Sequence, residues 1–296
     1  MPQELPGTEE ALSEAQGPRV SAVLIAFNQA PALRRAIQAL DRSNDRERLE
    51  ILVVDCGSRD ESAQIDAEYP SINMLRLPHH LGAARAMNIA TRTAKADLIF
   101  FVSPDVEVLP DTVARLAAKL EEEMDSAAAC PLLVDTDGQP MSKIYRLPTR
   151  DALASGVLVP MELDTIQASM PVEYPGIDAL LVRKQFLRSM NFFDQRFGHY
   201  WADADLAIKI KQGGKKIRLY SDIRAVRHPA TDPLEGDDLA EADKLLGAAA
   251  LLGKYYGFVA GLSFRLGAIF KALGRFELGR VGKLVSGQKL DGSQAG

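Results

Sequence analysis

The stretch Val20-Ser21-Ala22-Val23-Leu24-Ile25-Ala26-Phe27-Asn28 decides the fold class. A nearly unbroken apolar run closed by an asparagine describes a strand covered on both faces, the environment of a parallel sheet. Pro31 then opens a helical pattern with Leu33, Ala36, Ile37 and Leu40 on one face. A second apolar run at residues 49–54 stops at Asp55-Cys56-Gly57-Ser58, and Asp60 is placed to cap the next helix. A strand at 72–77, a small-residue helix at 82–94, a very apolar strand at 97–102 and a long helix at 110–123 continue the alternation. Strands alternating with helices predict a doubly wound, mostly parallel α/β sheet with helices on both faces.

Beyond Ala127 the rhythm weakens. Residues 132–134 predict a strand, Asp137-Gly138 a hairpin turn, and residues 141–173 an irregular region with one short helix. Strands at 179–182, 217–220 and 224–226 and a helix at 204–211 follow. From Leu245 onward, Gly and Ala mix with aromatic and basic residues, and Phe258, Leu262, Arg265, Leu266 and Ile269 recur at helical spacing. The expected organisation is a disordered segment over 1–18, an α/β domain over 19–240 and a basic amphipathic helical tail over 241–296.

Composition bounds the function. The chain is 47% hydrophobic and 25% charged, ordinary for a globular protein. Two cysteines, Cys56 and Cys130, make neither a disulfide framework nor a four-thiolate zinc site, and fit a reducing cytoplasm as small buried fillers. No apolar run reaches ~20 residues, and the polar, acidic start does not read as a signal peptide. Net charge is −5, yet the tail from Lys244 to Lys289 is strongly basic, with Glu277 its one acid. An acidic main domain argues against nucleic acid as a partner. A basic amphipathic tail suits an anionic membrane surface, or packing on the domain or on a second subunit as in a homodimer.

In an open α/β sheet, ligands bind beyond the carboxyl ends of the strands. That rule brings Asn28, Asp55 and Asp105 to one rim. Asp105, in Ser103-Pro104-Asp105-Val106-Glu107, follows a strand apolar enough to be central. One carboxylate plus substrate phosphates is a usual way to hold Mg²⁺ or Mn²⁺, although the same aspartate could simply cap a turn.

Several stretches together resemble family 2 glycosyltransferases, in particular the rhamnosyltransferase-like branch. They are residues 20–28, Val53-Val54-Asp55-Cys56-Gly57-Ser58-Arg59-Asp60, His80-Leu81-Gly82-Ala83-Ala84-Arg85-Ala86-Met87-Asn88, residues 103–110, Phe193-Asp194-Gln195-Arg196-Phe197, and Tyr200-Trp201-Ala202-Asp203-Ala204-Asp205-Leu206. Their order covers residues 20–230. The resemblance implies a GT-A fold, with a nucleotide-binding half over 19–135 and an acceptor-binding half over 136–240. It implies an inverting, metal-assisted transfer from a nucleoside diphosphate sugar to a glycan or lipid-linked acceptor, at the inner face of a bacterial membrane. It assigns the nucleotide and donor to Phe27, Asn28, Asp55, Gly82, Arg85, Asn88, Ser103 and Asp105. The divalent cation falls to Asp105 and His228, and the catalytic base to Asp203.

The chemistry agrees with those roles. Expelling a nucleoside diphosphate builds negative charge that a cation stabilises, and the attacking hydroxyl must lose a proton to a carboxylate. Asp203 sits near a helix N-terminus, whose dipole is expected to keep it ionised; Asp205 is the better candidate for the helix cap. Trp201 could stack on a sugar face, and Asp178 is an added acid on the acceptor side. His79 and His80 read as structural. Ser103, Ala202 and Ile177 depart from the family pattern, which keeps a catalytically degenerate nucleotide-binding or scaffold protein as the alternative. A sugar nucleotidyltransferase would need a glycine-rich loop after the first strand, and residues 26–31 contain no glycine.

Overall fold

The computed structural model describes residues 17–291 except Ser142 and residues 230–232. The segment expected to be disordered, 1–18, lies almost wholly outside the described residues. Nine strands form one sheet: β1 (Val20–Ala26), β2 (Leu49–Asp55), β3 (Asn73–Arg76), β4 (Leu98–Val102), β5 (Val106–Val108), β6 (Ser126–Val134), β7 (Ser169–Val172), β8 (Ala179–Arg183) and β9 (Lys216–Arg227). The order is β3-β2-β1-β4-β8-β6-β9-β5, with β7 also on β9. β1 runs parallel to β2 and β4, and β8 is inserted antiparallel between β4 and β6.

β1 shows why the opening run reads as a doubly covered strand. Ala22 and Leu24 enter a core with Leu33 and Ile37 of α1 (Ala30–Asp41) and Leu116 of α3 (Thr112–Glu122). Val23, on the opposite face, enters a second core with Met87 of α2 (Ala83–Thr93) and Leu206 of α6 (Ala202–Gln212). Each buried Leu or Ile contributes about 1.5–3 kcal/mol. Two short helices, α4 (Arg150–Ser155) and α5 (Lys184–Ser189), flank the irregular half.

Two expectations change. The strands expected at 217–220 and 224–226 are one strand, β9, whose pairing with β6 shifts register between Pro131 and Leu132; the shift interrupts the sequence pattern but not the ladder. The tail is three helices: α7 (Asp238–Tyr256), α8 (Phe258–Gly274) and α9 (Leu278–Ser286). α7 is part of the domain core through Leu251 and Leu252. Ala272 of α8 and Leu284 of α9 pack on Leu246 of α7. The outer face of α8 stays open, with Phe258 77% and Phe270 70% exposed. Among the described residues, no helix is long and apolar enough to cross a membrane.

Candidate active site

The carboxyl ends of β1 and β4 and the first turn of α6 enclose a cavity of about 520 Å³, within the range of small-molecule sites. Six of the expected residues are on its wall: Phe27, Ser103, Asp105, Asp178, Trp201 and Asp203. Asn28, Asp55, Gly82, Arg85, Asn88 and His228 are not among the lining residues.

Asp203 is the second residue of α6. Its Oδ1 accepts the Ala204 N–H at 2.9 Å and its Oδ2 accepts the Tyr174 hydroxyl at 2.9 Å. Burial pushes the carboxyl above the ordinary aspartate range, and these two hydrogen bonds only partly oppose it. The dipole of α6 favours the ionised form, as expected, and burial works against it. Tyr174 is itself pushed well above the normal phenol range by burial and by Asp203, so it remains a donor.

Asp205 is not the helix cap. The chain enters α6 through Trp201 in a left-handed conformation, φ 76°, with no side-chain cap. Asp205 lies a turn further on, fully buried, and receives Lys254 Nζ at 2.6 Å and the Tyr255 hydroxyl at 2.6 Å from α7. The Trp201 Nε1–H donates to the Lys244 carbonyl at 2.9 Å. Gly247 lets α7 come this close: a Cβ there would stand 2.8 Å from Trp201 Cδ1.

On the facing wall, Asp105 Oδ2 accepts from Arg227 Nε at 3.0 Å, and Asp178 Oδ2 accepts from Arg227 Nη1 at 2.8 Å. Burial, with Asp105 nearby, raises the Asp178 carboxyl above the usual range against the pull of Arg227. Asp105 Oδ1 is buried and has no partner among the described residues. The His228 N–H donates to the Asp105 carbonyl at 2.9 Å, but its imidazole Nε2 is 2.7 Å from Glu107 Oε2. The imidazole expected to stand beside Asp105 is thus engaged by Glu107 of β5.

No group of three His, Cys, Asp or Glu suited to a metal occurs among the described residues. The unpartnered Asp105 Oδ1 still fits a divalent cation of the kind that takes one carboxylate oxygen and completes its shell with substrate phosphates and water.

Residues expected on the donor side are tied into backbone. Asn28, at φ 52°, accepts the Arg59 N–H on its Oδ1 at 2.8 Å, and Asp55 accepts the Ser58 N–H at 3.2 Å. Asn88 fastens α2 to Phe193 by bonding both its N–H and its carbonyl, each at 2.9 Å, in a buried position. Arg85 Nη1 donates to the Asp291 carbonyl at 2.7 Å. Gly82 has φ 82°, and a Cβ on it would stand 2.2 Å from the Leu290 carbonyl oxygen.

Polar wall residues without a role assigned from sequence include His80, Tyr174, His199, Arg227 and Lys244. His80 was read as structural. It is edge-on to Phe27 and His199, and burial, helped by His199, pulls it down to about 3, so it is neutral. His80 opens one quoted motif, His199 directly precedes another and Arg227 precedes His228, whereas Tyr174 carries no such neighbouring signal. Cys56 and Cys130 are free and buried, their thiols pushed up to about 12 by burial.

Among solved structures the chain resembles GalNAc-T7, crystallised with UDP, GalNAc and Mn²⁺, at a TM-score of 0.63 with 15% identity over 79% of this chain and 47% of that one. It also resembles S. aureus TarS, at 0.54 with 18% identity over 81% of this chain and 44% of that one. These likenesses identify the fold as GT-A. An N-acetylglucosaminyltransferase of Mesorhizobium japonicum is 31% identical over 38% of this chain, which spans 28% of that relative's length. An N-acetylglucosaminyl-diphospho-decaprenol L-rhamnosyltransferase of Mycobacterium tuberculosis is 25% identical over 65% of this chain and 70% of its own. The sequence profile of Glycosyl transferase family 2 matches residues 21–169, half of the chain. With the strand order, the rim cavity and these matches in agreement, the chain belongs to glycosyl transferase family 2.

Proposed function

We propose that the chain transfers a sugar, with inversion, from a nucleoside diphosphate sugar to a hydroxyl of a glycan or lipid-linked acceptor. The observation that carries this reading is a pair of carboxylates on one cavity wall system: Asp203, steadied by Tyr174, and Asp105, beside Arg227. The acceptor oxygen forms the new bond to the anomeric carbon and gives its proton to Asp203. The bond to the diphosphate oxygen breaks, and its electron pair leaves on that oxygen. The raised affinity of Asp203 for a proton makes it a stronger base than a surface aspartate once ionised. Trp201 offers a ring for the apolar face of a sugar. Asp105 Oδ1 would hold a divalent cation, which when bound offsets charge on the leaving diphosphate.

The test is a screen of sugar nucleotides for hydrolysis and transfer, with the product anomer read by NMR. One turned-over donor giving an inverted product supports the reading. Tight nucleotide binding without turnover supports the degenerate alternative.

A lipid-linked acceptor would be met at a membrane. We assign the open face of α8, with Phe258, Leu262, Leu266 and Phe270 beside the exposed Lys271 and Arg275, to an anionic lipid surface. Cosedimentation with phosphatidylglycerol vesicles, lost in Phe270→Glu, supports it. No binding to vesicles, or a concentration-dependent dimer broken by the same change, overturns it.

A further inference from the structure

We infer that Arg227 is a fixed cation that receives the diphosphate of the donor, so that the nucleotide has a protein-borne counter-charge even without a metal ion. The inference rests on the nucleotide-sugar reading and deepens it.

Arg227 ends β9 at the rim, where it pairs in register with Val106, the residue after Asp105. Two carboxylates from different elements aim it. Asp105 follows β4 and takes Nε at 3.0 Å; Asp178 precedes β8 and takes Nη1 at 2.8 Å. A guanidinium held at two points has lost most of its side-chain freedom before any ligand arrives, which lowers the ordering cost of binding. A guanidinium has five N–H donors. The hydrogen bonds of Arg227 use Nε and Nη1 only, leaving Nη2 uncommitted among the described residues. The side chain is 31% exposed and lines the cavity.

The wall otherwise is poor in positive charge. Asp105, Asp178 and Asp203 are carboxylates, His80 is neutral, and Lys244 is the other cation of known charge. A diphosphate entering such a cavity needs a positive partner near Asp105, and Arg227 is the one already there. Planar guanidinium N–H groups match pairs of phosphate oxygens, which a lysine ammonium does not. Simple neutralisation of buried acids would not require the cation to stand on a cavity wall with its side chain 31% exposed. Asp178, which had no counterpart in the sequence pattern, acquires a reason: it positions Arg227.

The test is calorimetric titration of UDP, dTDP and GDP, and the matching monophosphates, in EDTA and then in Mn²⁺, with Arg227→Gln, Arg227→Lys and Asp178→Asn beside wild type. Wild type is expected to bind one diphosphate in EDTA. Arg227→Gln should weaken that binding tenfold or more and weaken the monophosphate less; Arg227→Lys should fall between. Asp178→Asn, whose amide oxygen can still accept from Nη1, should bind the diphosphate no more weakly than wild type, because Arg227 stays aimed and a negative charge near the anion is gone. If Arg227→Gln does not fold, as judged by thermal melting, unchanged affinity in Arg227→Lys overturns the inference. So does wild-type affinity in Arg227→Gln, an equal loss in Asp178→Asn, or binding by wild type only when Mn²⁺ is present. No binding of any nucleotide under either condition defeats the nucleotide-sugar reading itself.

Discussion

The two rims of this sheet use their polar residues in opposite ways. On the side of β1 and β2, Asn28, Asp55, Gly82, Arg85 and Asn88 are engaged with backbone, and none faces the cavity. On the side of β4, β9 and α6, Asp105, Asp178, Asp203 and Arg227 are on the cavity wall, with Asp105 Oδ1 and Arg227 Nη2 unpartnered among the described residues. Both kinds occur within the same stretches of motif, Asn28 and Asp55 as latches that shape turns and Asp105 and Asp203 as groups on the cavity wall. The motif residues alone do not separate them; the direction of each hydrogen bond does.

The contrast can be broken by substitution. The largest effect on stability is expected from Asp205→Ala, which leaves the Tyr255 hydroxyl without its acceptor and Lys254 with Asp194 at 2.9 Å as its remaining carboxylate, and should cost about 3 kcal/mol in chemical denaturation. Asn88→Ala removes both bonds to Phe193 and should cost about 2–3 kcal/mol, with nucleotide affinity of the folded fraction unchanged. A loss of affinity without loss of stability at Asn88 would return it to the donor site.

On the wall side, Tyr174→Phe removes a hydrogen bond that favours ionised Asp203. With Asp203 as the base, the rising limb of kcat/KM against pH is expected to lie above the ordinary aspartate range in wild type, since a base works only when deprotonated. It should move to still higher pH in Tyr174→Phe, with a loss of about 3- to 10-fold at neutral pH. A limb that stays in place would mean Tyr174 only packs.

A pH-dependent effect on stability concerns Asp243, a buried residue of α7 that accepts the His199 backbone N–H at 2.6 Å, with its carboxyl pushed up to about 6 by burial. The folded state thus holds a proton that the unfolded state releases near pH 3.9, so this group's contribution to stability falls as pH rises from about 4 to 6. Asp243→Asn should therefore gain in melting temperature relative to wild type across that interval and hold the gain above it. A difference independent of pH would contradict the assignment.

Much of the fold was legible because burial leaves a direct mark: β1, β2 and β4 are apolar end to end, and α1 repeats Leu33, Ile37 and Leu40 on one face. β9 was read as two strands because a register shift is invisible in hydropathy. Asp203 could be picked out by its place before an apolar helix, but its difference from Asp205 could not. Lys254 and Tyr255, which claim Asp205, are about 50 residues away in the chain. The same holds for Arg227, which is 122 residues from Asp105 and 49 from Asp178. Pairings made by strand order, rather than by spacing, become readable only once the sheet is assembled.

The central claim is that Asp203 takes the acceptor proton while Asp105 and Arg227 attend to the leaving diphosphate. It is tested most directly by Asp203→Asn, measured for transfer rate and for nucleoside diphosphate affinity on the same preparation. The account predicts a fall in kcat of about 10²- to 10⁴-fold with affinity within twofold of wild type. Transfer at the wild-type rate, or affinity lost in step with the rate, would contradict it.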